Sequence, residues 1–285
     1  MSKDKMKVSV VMAVYNRENL VKECITSIQD QNFNDFEIIV VDDYSEDSTY
    51  DVLESLAKDD KRIRLFRNHR HHFIETLNIG MSEANGEYIA RIDSDDIMLP
   101  DRLRKQVECM DDDLSLSVCC SWYETFGSYQ SLQNNIVGKV KRPYYQFLLG
   151  NYLANPTSMI RKSFLEEHHL YYQNDYIYSE DYKMWTEIAK YGGGFYVIPE
   201  VLTKYRIHDK QLSIKHREIQ ANSAFKAQTD VLNDLLEIES QKDPNIEPLF
   251  TILSYYNEKE MLSMESICRV CYEILENRNR LSNKK

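Results

Sequence analysis

"EYIARIDSDDIMLP" (residues 87–100) carries an apolar strand pattern, Tyr88 to Ile92, straight into Asp93, Ser94, Asp95 and Asp96. Carboxylates about 4 Å apart repel by roughly 4 kcal/mol at an effective dielectric near 20, so a buried strand that ends this way calls for a cation. Three similar runs precede it: "KVSVVMAVY" (7–15), "FEIIVV" (36–41) and "IRLF" (63–66). Each is nearly continuous in apolar residues, as expected of strands covered on both faces. Helical spacings separate them: Leu20, Val21, Cys24, Ile25 and Ile28, then Val52, Leu53 and Leu56, then Ile74, Leu77 and Met81. Asn16 is placed to cap the first helix and Gly86 to close the third. This alternation predicts an α/β fold, a mostly parallel Rossmann-like sheet with helices on both faces.

Downstream, Pro100 suits a helix start ahead of Leu103, Val107 and Met110, and "SVCCSW" (117–122) reads as a further strand. Periodicity fades over 123–142, read as a loop or an excursion over the sheet edge. Short aromatic-rich elements fill 143–208, with Gly192 to Gly194 ending a helix before the strand "FYVIP". Beyond about 213 the pattern is helical, with a stripe through Val231, Leu232, Leu235 and Leu236. "DPNIEP" (243–248) breaks it, and a last helix is expected over roughly 249–280. The division that follows is a catalytic domain over 1–212, in halves of about 1–98 and 99–212, and a C-terminal helical region over 213–285.

A length of 285 residues, 28% charged and 42% hydrophobic, fits a globular enzyme. A net charge of -11 gives nucleic acid no electrostatic reason to bind. No targeting peptide or membrane-spanning run appears, which leads us to expect a cytoplasmic protein. The six cysteines sit mostly among apolar neighbours, and Cys268-x-x-Cys271, with no second pair, reads as buried thiols rather than a zinc or redox site.

In open α/β sheets ligands bind beyond the carboxyl ends of the strands. Three polar clusters fall there: "AVYNRE", "VVDDYSEDS" and "RIDSDD". Capping or a solvated turn is the structural alternative for Asp42 and Asp43. The acids at 93–96 make the stronger case, because Mg²⁺ and Mn²⁺ take one or two carboxylates and leave positions for phosphate oxygens.

"VSVVMAVYN", "IIVVDDYSEDST", "TLNIG", "GEYIARIDSDD" and "SEDYKMW", in that order over about residues 6–215, resemble the inverting nucleotide-sugar glycosyltransferases of family 2 with the GT-A fold, the group that builds bacterial surface polysaccharides. The resemblance implies a nucleotide-sugar donor, UDP-linked, a glycan or lipid-linked acceptor and an Mn²⁺ or Mg²⁺ cofactor. Asp93 and Asp95 match the DxD motif, the second acid binding metal and the first contacting the ribose side. Asp43 matches the acid that reads the uracil edge and Tyr15 the aromatic near the base. In "YRIHDKQLS", His208 matches a histidine that approaches the metal and diphosphate, assisted by Arg206. A buried structural histidine is the alternative for His208. Asp181 matches the general base and Glu180 its neighbour; a helix start over 180–191 would hold Asp181 ionised while lowering its basicity.

Several features depart from the family pattern. The loop "NHRHHFIETLNIG" carries His69, Arg70, His71 and His72 where a glycine is usual, and H-x-H-H lacks a distinctive metal-ligand pattern, which favours solvated or phosphate-facing roles. "NPT" (155–157) stands where the family has "HPT". No QxxRW motif occurs, which argues against a processive synthase. Two other classes compete. A sugar nucleotidyltransferase would need a glycine-rich basic loop that "AVYNRENL" lacks, and a non-catalytic sugar-nucleotide-binding protein would bind without turnover. The tail "RVCYEILENRNRLSNKK" shows a stripe through Val270, Ile274 and Leu281 beside basic residues. That pattern suits peripheral membrane contact, and the C-terminal helices suit packing on the catalytic domain or an interface between copies.

Overall fold

The β-branched run from 7 to 15 forms the central strand β1 (Val8–Val14), and alternate side chains leave it for two separate cores. Val8, Val10, Met12 and Val14 join one, with Val21, Cys24, Ile25 and Ile28 of α1 (Val21–Gln29). Val11 points to the other, with Ile74 and Leu77 of α3 (Phe73–Glu83). Strand side chains alternate between faces, so a strand without polar alternation must be buried on both. The computed structural model describes residues 6–209, 211–242, 248, 252–253 and 262–282.

β2 (Phe36–Asp42), α2 (Thr49–Asp59), β3 (Ile63–Arg67) and β4 (Tyr88–Arg91) complete the first half. β5 (Ile97–Met98), α4 (Arg102–Asp112), β6 (Leu116–Gly127), β7 (Ser131–Gln133) and β8 (Gly138–Lys139) follow, then α5 (Pro143–Gln146), β9 (Met159–Arg161), α6 (Lys162–Glu167), α7 (Glu180–Lys190) and β10 (Gly194–Ile207). The sheet order is β3-β2-β1-β4-β9-β6-β10-β5, with β7 on β6 and β8 on β10. β3, β2, β1 and β4 are parallel, as are β6 and β10, while β9 lies antiparallel between β4 and β6. The chain is therefore α/β with a mostly parallel sheet, as its sequence predicts. β1 beside β4 is the place where the strand order reverses.

Some local readings need correction. Asn16 does not cap α1: it lies at φ 50°, its Oδ1 accepts from Glu46 N at 2.9 Å, and the N-cap is Leu20. Gly86 does not close α3, whose C-cap is Ala84. A Cβ there would come within 2.5 Å of Ser9 N and 2.8 Å of Tyr88 O, so its small size lets the chain cross β1 closely on entering β4. Residues 123–142 are not merely a loop, since β6 continues to Gly127 and turns back as β7. Gly192 does follow α7 as expected, at φ 85°.

α8 (Leu212–Lys215), α9 (Arg217–Lys242) and α10 (Met264–Ser282) follow. Ala227, Val231, Leu232 and Leu235 of α9 share one core with Phe147 and Trp185. On α10 the buried face is Ile267, Cys268, Cys271 and Leu275. The stripe expected through Val270 and Ile274 is thus out of phase: Val270 is 40% exposed, and the apolar face is spent against the protein. Leu281's side chain, Lys284 and Lys285 lie outside the described residues, as does most of the segment 243–261 that held the expected helix break. The six cysteines are free thiols, Cys268 and Cys271 buried among them. No described helix is long and apolar enough to cross a membrane.

Candidate active site

The ends of β1, β2 and β4 deliver Tyr15 to Arg17, Asp42 and Asp43, and Asp93 to Asp96 to one rim. Facing them are the turn Asn155–Thr157, the first residues of α7 and Tyr205 of β10. Between lies a cavity of about 600 Å³ whose lining includes Tyr15, Asp43, Asp93, Asp95 and Asp181. Arg206 and His208 reach it through Asp95: Arg206 Nε donates to the Asp95 carbonyl at 2.7 Å, and His208 Nε2 lies 3.0 Å from Asp95 Oδ2. Seven expected site residues are thereby gathered at one place from four strand ends and one helix start.

Asp43 is held by neutral donors. Its Oδ1 accepts from the His72 backbone N–H at 2.7 Å and the Thr76 hydroxyl at 2.6 Å. Its Oδ2 lies 2.8 Å from His71 Nδ1, and the His71 ring stacks on Tyr15 with centroids 4.0 Å apart and planes at 21°. His72 also accepts from Glu75 N as the cap of α3. His69, Arg70 and His71 are exposed, in keeping with the solvated role expected of this loop, while His72 caps α3 and the His71 ring also meets Asp43 and Tyr15.

The β4 acids are crowded. Asp93 is pushed upward, first by loss of water in the cleft and then by Asp95, with Arg91 opposing both. Asp96 is raised well above the carboxylate range by burial and by Asp93 and Asp95. Its Oδ1 accepts from Arg206 N at 2.8 Å, and its Oδ2 has no hydrogen-bond partner among the described residues. The chain supplies counter-charge of its own. Arg91, 2% exposed, reaches Asp93 at 3.2 Å, and Arg17 Nε lies 3.1 Å from Asp95 Oδ2. Asp93 and Asp95 are thus partly compensated from within the chain, whereas Asp96 is not paired with a cation among the described residues.

Asp95 and His208 offer a hard oxygen and an imidazole nitrogen, a donor pair that fits Mn²⁺ or Mg²⁺ when other oxygens complete the shell. Among the described residues no group of three or more His, Cys, Asp and Glu side chains is arranged to hold a metal.

Burial pushes Asp181 up to about 6, against the N–H of Tyr182 at 2.7 Å and the Asn151 amide at 3.1 Å, both of which favour its charge. Glu180 is raised to about 8 by burial first and Asp181 second, and its Oε2 has no hydrogen-bond partner among the described residues. A helix N-terminus by itself lowers the basicity of an acid such as Asp181. Desolvation instead exceeds the dipole, because both acids face other acids in a cleft poor in water.

Sequence reasoning gave no role to Arg17, Arg91 or Arg102, and it did not place His71 beside Asp43 and Tyr15. Arg102, fully buried, donates to the carbonyls of Arg91, Pro156 and Ser158 at 2.7, 2.6 and 3.1 Å and so fixes the end of β4 to the Asn155–Thr157 turn. Its position on the inner face of α4, in phase with Leu103 and Gln106, is the only signal available in the sequence. Beside the main cavity lies a second of about 230 Å³, lined by Trp122, Tyr123, Gln133, Asn135, Asn151 and Tyr152 among others. Ala154 lines both.

Comparison with known proteins places this geometry. A fragment of S. aureus TarS, crystallised with UDP, superposes with a TM-score of 0.62 at 19% identity, covering 83% of this chain and 73% of that one, which shows a shared fold. An uncharacterised glycosyltransferase of Haemophilus influenzae is 34% identical over 233 residues, 77% of this chain and 71% of the relative. The Escherichia coli UDP-Glc:alpha-D-GlcNAc-diphosphoundecaprenol beta-1,3-glucosyltransferase WfgD is 31% identical over 244 residues, 81% of this chain and 87% of the relative. Residues 9–168 match the profile of glycosyl transferase family 2, a span that holds Tyr15, Asp43, Asp93 and Asp95 and stops short of Asp181, Arg206 and His208. With more than half its length inside that profile and a relative of similar length at 34% identity, the chain belongs to glycosyl transferase family 2 and is a glycosyltransferase.

Proposed function

We propose that the enzyme transfers one sugar from a UDP-sugar, with inversion at the anomeric carbon, to a hydroxyl of a lipid-linked glycan. The observation that carries the reading is one cavity whose lining brings together Tyr15, Asp43, Asp93, Asp95 and Asp181. The carboxylate of Asp43 suits a base N–H and the Tyr15 ring its face. Residues 1–98 then supply the donor side and 99–212 the acceptor side, against which α9 and α10 pack. A UDP-bound structural neighbour and a UDP-Glc-dependent relative support the donor class, and the relative's diphosphoundecaprenol acceptor supports a lipid-linked one.

Asp181 removes the proton of the acceptor hydroxyl, whose oxygen attacks the anomeric carbon as the bond to the UDP oxygen breaks on the opposite face. Its raised basicity brings it close to working pH without leaving it protonated there, since a base with a value near 6 is mostly ionised at 7.5. Asp95 and His208 would hold the divalent ion, which when bound neutralises charge developing on the diphosphate. The smaller cavity, with Trp122 and Tyr152 beside the amides of Gln133, Asn135 and Asn151, suits an acceptor sugar, and Asn151 links it to Asp181.

A panel of nucleotide sugars, assayed for metal-dependent turnover with and without a diphosphoundecaprenol-linked acceptor, tests the proposal. The expected result is activity with one or more UDP-sugars, dependent on Mn²⁺ or Mg²⁺ and lost in Asp95→Asn. Turnover confined to another nucleotide, or unaffected by chelation, would overturn it.

A further inference from the structure

The His71 ring occupies the position of both contacts that the proposed donor base needs, beside an Asp43 Oδ2 that has no hydrogen-bond partner among the described residues. Its Nδ1 lies 2.8 Å from Asp43 Oδ2, and its ring stacks on Tyr15 at 4.0 Å. The other oxygen of Asp43 is already occupied by the His72 N–H and the buried Thr76 hydroxyl, both at the start of α3. Only Oδ2 is left to receive a base N–H, and His71 faces it.

Resting on the donor reading above, we infer that His71 is a built-in competitor for the nucleobase: its imidazole fills the base position in the ligand-free enzyme and must swing out when a nucleotide enters. The loop is built for such a movement of a side chain alone. Its ends are pinned, His72 N by Asp43, His69 N by the Asn68 side chain at 2.8 Å, and Asn68 N by the Asp42 carbonyl at 2.8 Å. The His71 side chain itself is 54% exposed, so it can rotate into solvent without opening the core. Ligands without a base, such as pyrophosphate with its metal, do not meet His71 and are indifferent to it. A position that is only partly vacant lowers the apparent affinity by the vacant fraction. One aromatic stack and one exposed contact of this type correspond to about a three- to tenfold effect.

Calorimetric titration of wild type, His71→Ala and His71→Phe with UDP, UMP and Mn²⁺-pyrophosphate tests this. UDP and UMP should bind His71→Ala about three- to tenfold more tightly than wild type, pyrophosphate should bind equally, and His71→Phe, which keeps a ring but loses the N–H, should fall between the other two for UDP. Unchanged or weaker UDP binding by His71→Ala would overturn the inference while leaving the donor reading intact. A wild-type enzyme that binds no UDP would overturn both.

Discussion

Beyond the end of β2, one oxygen of Asp43 is held by neutral donors, whereas the acidic end of β4 looks across the cleft at two more acids and leans on a buried arginine. Asp43 accepts two short hydrogen bonds and gives the fold something in return, fixing the start of α3. Asp93, Asp96, Glu180 and Asp181 are all pushed upward, mainly by burial. The first region is a preorganised acceptor that stabilises the chain as it stands. The second holds charge that the free protein disfavours, and such stored cost is characteristic of sites whose ligands carry the compensating charge. Within the chain, Arg17 and His208 lie 3.1 and 3.0 Å from Asp95, and His71 lies 2.8 Å from Asp43.

Three substitutions break or sharpen this contrast. The largest effect is expected from Asp181→Asn. Transfer should fall by about 10²- to 10⁴-fold, the usual range for a lost general base, with UDP affinity within about threefold of wild type. In the wild type, kcat/KM should fall about tenfold per pH unit below about 6, because protonation of Asp181 removes the base. Stopped-turnover kinetics across pH 5–9 checks both, and a collapse of UDP binding in the variant would reassign Asp181 to binding.

Asp43→Ala comes next. It strands the His72 N–H and the Thr76 hydroxyl, and each buried donor left without a partner costs about 1–3 kcal/mol. Chemical denaturation should show a loss of about 2–4 kcal/mol at neutral pH, together with weaker UDP binding. Retained stability would mean that the β2 acid is as poorly compensated as those of β4.

Glu180→Gln should move stability the other way, by a difference that opens above about pH 4.5, widens through neutral pH and reaches about 1–3 kcal/mol or more by about pH 8. Glu180 titrates near 8 in the folded chain against an ordinary 4.5, so between those values the folded state keeps a proton that the unfolded state has lost. Wild-type stability contributed by this group is therefore full below about 4.5 and declines as pH rises toward 8, while glutamine has no proton to lose. Denaturation midpoints at pH 4 should agree, and those at pH 8.5 should favour the variant. Equal midpoints at both would show that Glu180 is ionised without penalty.

The sequence alone determined the fold class and the three polar strand ends, because β-branched runs of strand length alternating with helical spacings admit few architectures other than a mostly parallel sheet, and parallel strands carry their ends to one rim. It also located Asp181 at a helix start, where the residue is found. Tertiary structure decided what pattern cannot encode. The antiparallel insertion of β9 between β4 and β6 depends on pairing between strands distant in sequence. The phase of α10, one step from the expected stripe, was set by which face met Phe147 and Leu148, not by its basic residues. The burial that raises Glu180 and Asp181, the arginines threaded under β4 and the ring of His71 over Tyr15 all arise from groups brought together across tens of residues, and desolvation is a property of that gathering and not of any local stretch.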